Sequence, residues 1–283
     1  MGQFRYHFFF LVLVCLIVII LSVVLFSRGR VSETTVAFLD VGQGDAILIS
    51  EGGYQVLIDG GADGTLLLSR LGQFVPFWDR TIDVVVATHP DKDHIGGLVD
   101  VFSAYFVNTV LMTNVNSDSS VFGAFEERVL TSRVVDAFWG RSVVFPSGAR
   151  LEVIYPFHSL PDEIVSDTNA TSVATVFRWK DETFLFTGDL PSFNEDSLSV
   201  SGVDILKAGH HGSRSSTSEW FLSLVRPRDV IFSVGKDNQY GHPAPDVLDR
   251  VRSVGAEIFR TDVDGSVVYT CQDSSLRCTV GFE

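Results

Sequence analysis

Basic residues are scarce in this chain of 283 residues, where 21 Lys and Arg face 35 Asp and Glu. Segment 1–30 holds Arg5, Arg28 and Arg30 and no acid, so the remainder carries 18 basic against 35 acidic residues, a balance of −17. That argues against broad, sequence-indifferent nucleic-acid binding, which depends on Lys and Arg neutralising phosphates. A local basic strip is still possible, and Lys207, Arg214, Arg226, Arg228 and Lys236 are near enough in sequence to supply one. No repeat of 20 to 50 residues and no low-complexity tract stands out. A small-x-small cleavage pattern is also missing where the N-terminal apolar run ends, at Val24-Leu25-Phe26-Ser27-Arg28-Gly29-Arg30. Cysteines number three: Cys15 is inside the apolar run, and Cys271 and Cys278 flank Gln272 to Arg277.

The apolar run, Phe8 to Phe26, is 19 residues interrupted only by Ser22, long enough to span a bilayer as a helix. An uncleaved, single-pass anchor over 1–30 is therefore expected, followed by one domain over 31–283. Arginines lie on both sides of the run and do not fix its orientation. The cysteine pair bears on that question. Strands Val267-Val268-Tyr269 and Thr279-Val280 read as a hairpin that sets Cys271 opposite Cys278, and a disulfide there favours an extracytoplasmic domain.

Histidine is the other sparse residue, at seven, and its placement is informative. His7 is in the N-terminal tail and His158 stands alone, while the other five fall in three motifs: His89 with His94, His210 with His211, and His242. The first motif, Thr88-His89-Pro90-Asp91-Lys92-Asp93-His94-Ile95-Gly96-Gly97, follows the β-branched run Thr81 to Thr88, which reads as a buried strand. Pro90 biases His89 toward an extended conformation, so His89 and Asp91 can share one side of the strand's end. Asp93 and His94 then sit near the start of a helix. Four potential metal ligands converge from one turn.

Along the chain, Thr35 to Val41, Ala46 to Ser50 and Tyr54 to Asp59 form an antiparallel meander joined by glycine-bearing turns. Alternation follows: Leu66 to Phe74 helix, Ile82 to Thr88 strand, Ile95 to Tyr105 helix, Thr109 to Met112 strand, Phe122 to Phe138 helix. Strands recur at 142–145, 150–155, 172–179 and 183–187, and strand and helix alternate again from Val203. Two mixed β halves with helices outside imply an α/β, four-layer αββα sandwich. Phe184-Leu185-Phe186-Thr187-Gly188-Asp189 is an apolar strand that delivers an aspartate past a glycine. Leu206-Lys207-Ala208-Gly209-His210-His211-Gly212-Ser213 does the same with paired histidines.

These motifs, with Asp40-Val41-Gly42-Gln43-Gly44-Asp45-Ala46 and Tyr240-Gly241-His242-Pro243, resemble the metallo-β-lactamase superfamily, and within it the C-terminal domain of the ComEC family of competence proteins. The resemblance covers about residues 34–270. It implies a hydrolase holding one or two divalent ions, Zn²⁺ or Mn²⁺, with His89 and Asp91 in the first-metal set. Asp93, His94 and one of His210 or His211 fall in the second, and Asp189 is the bridge. Asn169 stands where another first-site histidine is common. Metal-activated water is the implied nucleophile, oriented by Asp93, with His242 protonating the leaving group or binding phosphate. Asn169, Lys207, Ser213, Asn238 and Tyr240 are the candidate substrate contacts, and Asp40, Asp45 and Asp59 are expected to brace turns. The implied activity is phosphodiester cleavage, with single-stranded DNA as substrate in a DNA-uptake role and a separate membrane channel protein as partner. The alternative is a hydrolase of small or cell-wall-linked phosphodiesters or other esters.

Overall fold

The computed structural model describes the backbone of residues 2–28 and 33–283, with the side chains of residues 6, 7, 9–22 and 33–283. The chain divides into two units, 1–32 and 33–283. The first holds helix α1 (Gly2–Arg28), whose described side chains at 9–22 are all exposed. Among the described residues no helix is long and apolar enough to cross a membrane. The side chains at Phe8 and at 23–26, part of the expected span, lie outside those residues.

The second unit opens with β1 (Thr34–Phe38), β2 (Ile47–Glu51) and β3 (Tyr54–Ile58), paired as an antiparallel meander. Then come α2 (Gly64–Phe74), β4 (Thr81–Ala87), α3 (Lys92–Ile95), α4 (Leu98–Ala104), β5 (Phe106–Met112), α5 (Ser120–Val129) and β6 (Arg133–Asp136). The antiparallel set β7 (Ser142–Val144), β8 (Arg150–Tyr155), β9 (Ala174–Trp179) and β10 (Glu182–Phe186) follows. The chain closes with α6 (Ser192–Glu195), β11 (Ile205–Lys207), α7 (Glu219–Val225), β12 (Asp229–Phe232), α8 (Pro245–Ser253), β13 (Glu257–Arg260), α9 (Thr261–Asp264), β14 (Val267–Cys271) and β15 (Thr279–Phe282). One sheet runs β15-β14-β1-β2-β3-β4-β5-β6 and the other β13-β12-β11-β10-β9-β8-β7.

Strand alternation builds the layers. Val36 and Phe38, with Tyr269 of the neighbouring β14, point inward to Phe177, Phe184 and Phe186 of the facing sheet, while Ala37 and Leu39 pack outward against α2, α4 and α5. On the second sheet Val176, Leu185 and Leu206 point outward under α7 and α8. Ring pairs such as Phe38–Phe186 at 5.9 Å and Phe184–Tyr269 at 5.4 Å fill the centre. The four-layer αββα sandwich is thus present in the second unit. Cys271 and Cys278 are joined as a disulfide at the turn between β14 and β15.

Two expected helices are corrected. The segment Phe122 to Phe138 stays helical only to Val129, because Val134 and Val135 are β-branched and pair in parallel with Val110 and Leu111 as β6. Ile95 to Tyr105 is two short helices, α3 and α4, meeting at Gly96-Gly97. Those glycines are there for close approach and not for a turn: both have helical backbone, and a Cβ on Gly97 would lie 2.1 Å from the Gly60 carbonyl oxygen. The loop after β3 and the helices after β4 are therefore pressed together, and the site forms there.

Candidate metal centre

Strands that run in parallel present their ends along one edge. Asp59 follows β3, Thr88 and His89 follow β4, Asp189 follows β10, and His210 and His211 follow β11. Asp59 organises the first half. Its carboxylate accepts from the Thr88 amide at 2.8 Å and the Thr88 hydroxyl at 2.7 Å, and pairs with His94 Nδ1 at 2.8 Å. His89 Nδ1 lies 3.0 Å from the Thr88 hydroxyl and 3.3 Å from that of Ser172. Ser172 also accepts the Asp189 amide at 3.1 Å, which couples β4 to β10. His211 Nδ1 lies 2.9 Å from the Ser233 carbonyl and 3.3 Å from Asp45.

In each of the three imidazoles one nitrogen is held in place while Nε2 turns to a common centre. His89 Nε2, His94 Nε2, His211 Nε2 and Asp189 Oδ1 are buried and have no hydrogen-bond partner, which polar atoms inside a protein rarely tolerate. Single donor atoms of His89, His94 and Asp189 lie within 4.8 Å of one another, as do those of Asp93, His94 and His211. Asp189 Oδ2 is 3.3 Å from both His94 and His211, and Asp93 Oδ2 is 3.4 Å from His211. Imidazole nitrogens left open beside a shared carboxylate fit a divalent cation, with their outer partners already fixed.

The electrostatics agree. Burial, with the charge on His94, pushes His89 down to about 3, leaving a neutral imidazole with a free lone pair. Burial works against charge on His94 and His211 too, yet Asp189 with Asp59 raises His94 well above its ordinary value, and Asp189 with Asp45 does so for His211. Burial opposes ionisation of Asp189, and the same two histidines hold it well below the usual carboxylate range. The carboxylates of the centre thus favour positive charge beside them.

The other expected residues are spread more widely. Asp91 is half-exposed, accepts from Thr168 at 2.7 Å and lies 3.8 Å from His89 Nε2, outside both tight groups. Of the histidine pair, His211 is buried in the cluster, while His210 is on the open wall with Nε2 3.7 Å from Asp189. Both have left-handed backbone, at φ 46° and 53°, a conformation that costs about 1–3 kcal/mol and collects at functional sites. Asn169 Nδ2 is 3.5 Å from His210 Nδ1 and its Oδ1 is buried without a partner. Gln43, Asp91, Asp93, Asp189, His210, His211, Tyr240 and His242 line a cleft of about 150 Å³. Tyr240 is exposed and stacks on His242 at 5.8 Å. Burial, then His210, pushes His242 below its ordinary value.

Three expected substrate contacts are re-placed. Lys207 is fully buried, its ammonium on Asp45 and 3.7 Å from Asp189, donating to the Gly188 carbonyl at 3.2 Å. It neutralises carboxylates behind the centre and does not face the cleft. Asn238 closes its own loop, donating to the Gly235 and His242 carbonyls and accepting the His242 amide. The Ser213 hydroxyl is turned to that of Ser215 at 3.0 Å. Nor does the basic strip assemble. Arg228 precedes the start of β12, at the edge away from the metal centre, and is held by Glu182, Arg226 bonds to the Ser223 carbonyl, and Arg214 is paired with Asp246 at 2.9 Å.

Sequence reasoning missed Ser172, Gln43 and Glu195. Ser172 was signalled only by its spacing in Asn169-Ala170-Thr171-Ser172. Glu195 is buried and accepts the Thr217 amide, bracing the loop that carries the histidine pair, and burial pushes it up to about 8. Nothing in Ser192-Phe193-Asn194-Glu195 announced it.

Comparison with known proteins agrees with this geometry. The Metallo-beta-lactamase superfamily model matches residues 39–236. ComE operon protein 3 of Bacillus subtilis strain 168 is 28% identical over 268 residues, covering 84% of this chain and 33% of that protein. Recombination protein 2 of Haemophilus influenzae is 29% identical over 257 residues, covering 89% of this chain and 31% of that protein. Both are competence proteins of the ComEC family, and the chain spans about a third of their length. Among solved structures, the metallo-beta-lactamase fold protein YhfI of Bacillus subtilis aligns with a TM-score of 0.55 at 12% identity, covering 85% of this chain and all of that one. The likeness to YhfI is one of fold.

Proposed function

Because the chain belongs to the metallo-beta-lactamase superfamily, we propose that this metal-dependent hydrolase is a phosphodiesterase of the ComEC type, anchored in a membrane by its N-terminal apolar run. The carrying observation is that His89, His94 and His211 Nε2, all buried and unpartnered, gather around the Asp189 carboxylate, whose Oδ2 lies 3.3 Å from both His94 and His211. These residues and Asp93 would hold one or two divalent cations, Zn²⁺ or Mn²⁺. When bound, such a cation polarises a phosphoryl oxygen and lowers the pKa of water toward neutrality.

The chain's own residues supply the rest. Asp93, partly exposed in the cleft, accepts a hydrogen bond from the attacking water and sets its direction. It stays ionised at neutral pH, because His211 and His94 outweigh the effect of its burial. His242 faces the same cleft and is neutral near pH 7. It therefore serves as a hydrogen-bond donor to a phosphate oxygen before it serves as an acid. Asn169 and Tyr240 flank the substrate. The disulfide accords with an extracytoplasmic domain, and relatedness to competence proteins supports a role in DNA uptake beside a separate channel protein.

A specific observation favours the second reading, hydrolysis of small or wall-linked phosphodiesters. The cleft is small, acidic residues line it, and the basic strip that would track a DNA backbone is absent. The full chain, purified in detergent, is assayed against single-stranded DNA and a chromogenic phosphodiester with Mn²⁺ and with Zn²⁺. Phosphodiester turnover that chelation abolishes is the expected result. DNA cleavage that falls steeply with salt identifies the nuclease, and turnover of the small diester alone identifies the alternative. Absence of metal in the purified protein, with no hydrolysis of either substrate, defeats both.

A further inference from the structure

The end of the sandwich remote from the metal centre carries exposed aromatics that the hydrolase does not use. Phe77 and Trp78 are 79% and 73% exposed, stacked edge-on at 4.9 Å just before β4, and Phe106, the first residue of β5, is 65% exposed. The Phe106 amide donates to the Arg80 carbonyl at 2.7 Å, so these residues form one continuous rim. Leu130, just before β6, is 82% exposed at the start of the next strand over. Soluble surfaces seldom keep so many large apolar side chains on one edge.

Strand direction says what this rim faces. β1 is antiparallel to β2 and β2 to β3, while β3, β4, β5 and β6 are mutually parallel. The starts of β1, β4, β5 and β6 therefore share one edge, and the ends of β3 and β4, which carry Asp59 and His89, share the other. Thr34, the first residue of β1, is where the chain arrives from the apolar run, with only residues 29–33 between it and Arg28. Leu276, 71% exposed, is also on this edge, because Cys271 at the end of β14 pairs with Thr34. Aromatic and aliphatic side chains with an adjacent exposed Arg80 make up the composition that settles at a bilayer's headgroup boundary.

We propose that the rim formed by Phe77, Trp78 and Phe106 docks on the lipid headgroup boundary of the membrane that holds the N-terminal anchor. The metal cleft then opens away from the bilayer, about 20 Å along the seven residues of β4. The inference rests on the anchoring reading given above. Substrate would reach the centre from the aqueous side and not from within the lipid.

The full chain is reconstituted into phosphatidylcholine–phosphatidylglycerol vesicles with and without acyl chains brominated near the headgroups, and flotation and tryptophan emission are read together. The first unit contains no tryptophan and Trp78 is one of four in the chain, so bromine is expected to remove up to a quarter of the emission. Trp78→Phe should abolish that loss, and Trp220→Phe, 63% exposed on α7 over the other sheet, should retain it. Flotation without bromine-dependent loss overturns the docking and leaves the anchor standing. Failure to float overturns both. Emission that responds to protein dilution and not to bromine assigns the rim to contact between copies of the chain, and the inference falls.

Discussion

Strands β10 and β12 carry a buried polar cluster at each end, and the two clusters obey opposite rules. At their starts, Arg228 donates to both oxygens of Glu182 and to Asp229, and the Tyr269 hydroxyl donates to Asp229 at 2.9 Å. No buried side-chain atom there lacks a partner, and the cluster ties one sheet to the other. At their far ends, three imidazole nitrogens and a carboxylate oxygen are left open. A cluster that satisfies itself holds the fold together, whereas one that leaves donors open at the same depth is arranged for something it does not contain. Charge alone does not distinguish them, since both are rich in carboxylates.

The largest effect separates the two ends directly. His94→Ala should remove metal binding and lower hydrolysis by more than the roughly 100-fold that loss of an outer partner costs, because His94 belongs to both donor groups. Elemental analysis and steady-state rates check this, and a metal-replete His94→Ala protein would make the open nitrogens an accident of packing. The opposite end should respond the other way. Arg228→Ala removes the guanidinium that pairs both buried carboxylates, leaving Asp229 only the Tyr269 hydroxyl and Glu182 only Arg277 at 4.0 Å, and should destabilise the domain by about 3 kcal/mol with metal content unchanged. Denaturant unfolding beside metal analysis tests that, and a joint loss would mean that the clusters are not independent.

A finer cut is within the metal end itself. Asp59→Asn keeps the side chain's size but removes the charge that fixes His94 Nδ1 and accepts two bonds from Thr88. Affinity for the cation should fall about 10–100-fold with the fold preserved. Competition with a chromogenic chelator measures it, and unchanged affinity would confine Asp59 to a purely structural role.

What could be read from sequence follows the same division. Histidines gathered into motifs after apolar strands, and strand runs with period two, pointed to both the sandwich and the edge where donors meet, because strand ends and polar tips are local signals. Lys207 misled, since its place beside the histidine pair says nothing of the Asp45 carboxylate that holds it buried across the two sheets. The helix expected over Phe122 to Phe138 failed for a related reason. Phe122, Phe125 and Val129 keep helical spacing, and only pairing with β5 reveals that Val134 and Val135 belong to a strand. Glu182, Asp229 and Tyr269 come from three separate strands, β10, β12 and β14, with Arg228 just ahead of β12, so their cluster leaves no motif at all.

The smallest effect tests whether that unannounced cluster is as self-sufficient as its geometry implies. Burial, then the charge of Asp229, raises Tyr269 far above its ordinary pKa, so its hydroxyl remains a donor at every accessible pH. Tyr269→Phe removes one hydrogen bond to a charged acceptor, an interaction of about 1.5 kcal/mol, and leaves Arg228 in place to neutralise Asp229. The ring keeps its edge-on contacts with Phe38 and Phe184, so no cavity opens. Thermal unfolding should shift down by about 4 °C, with metal content and hydrolysis untouched because the metal centre is at the other end of the same strands. A loss as large as that of Arg228→Ala would show that the hydroxyl, and not the guanidinium, keeps the two sheets together at this end.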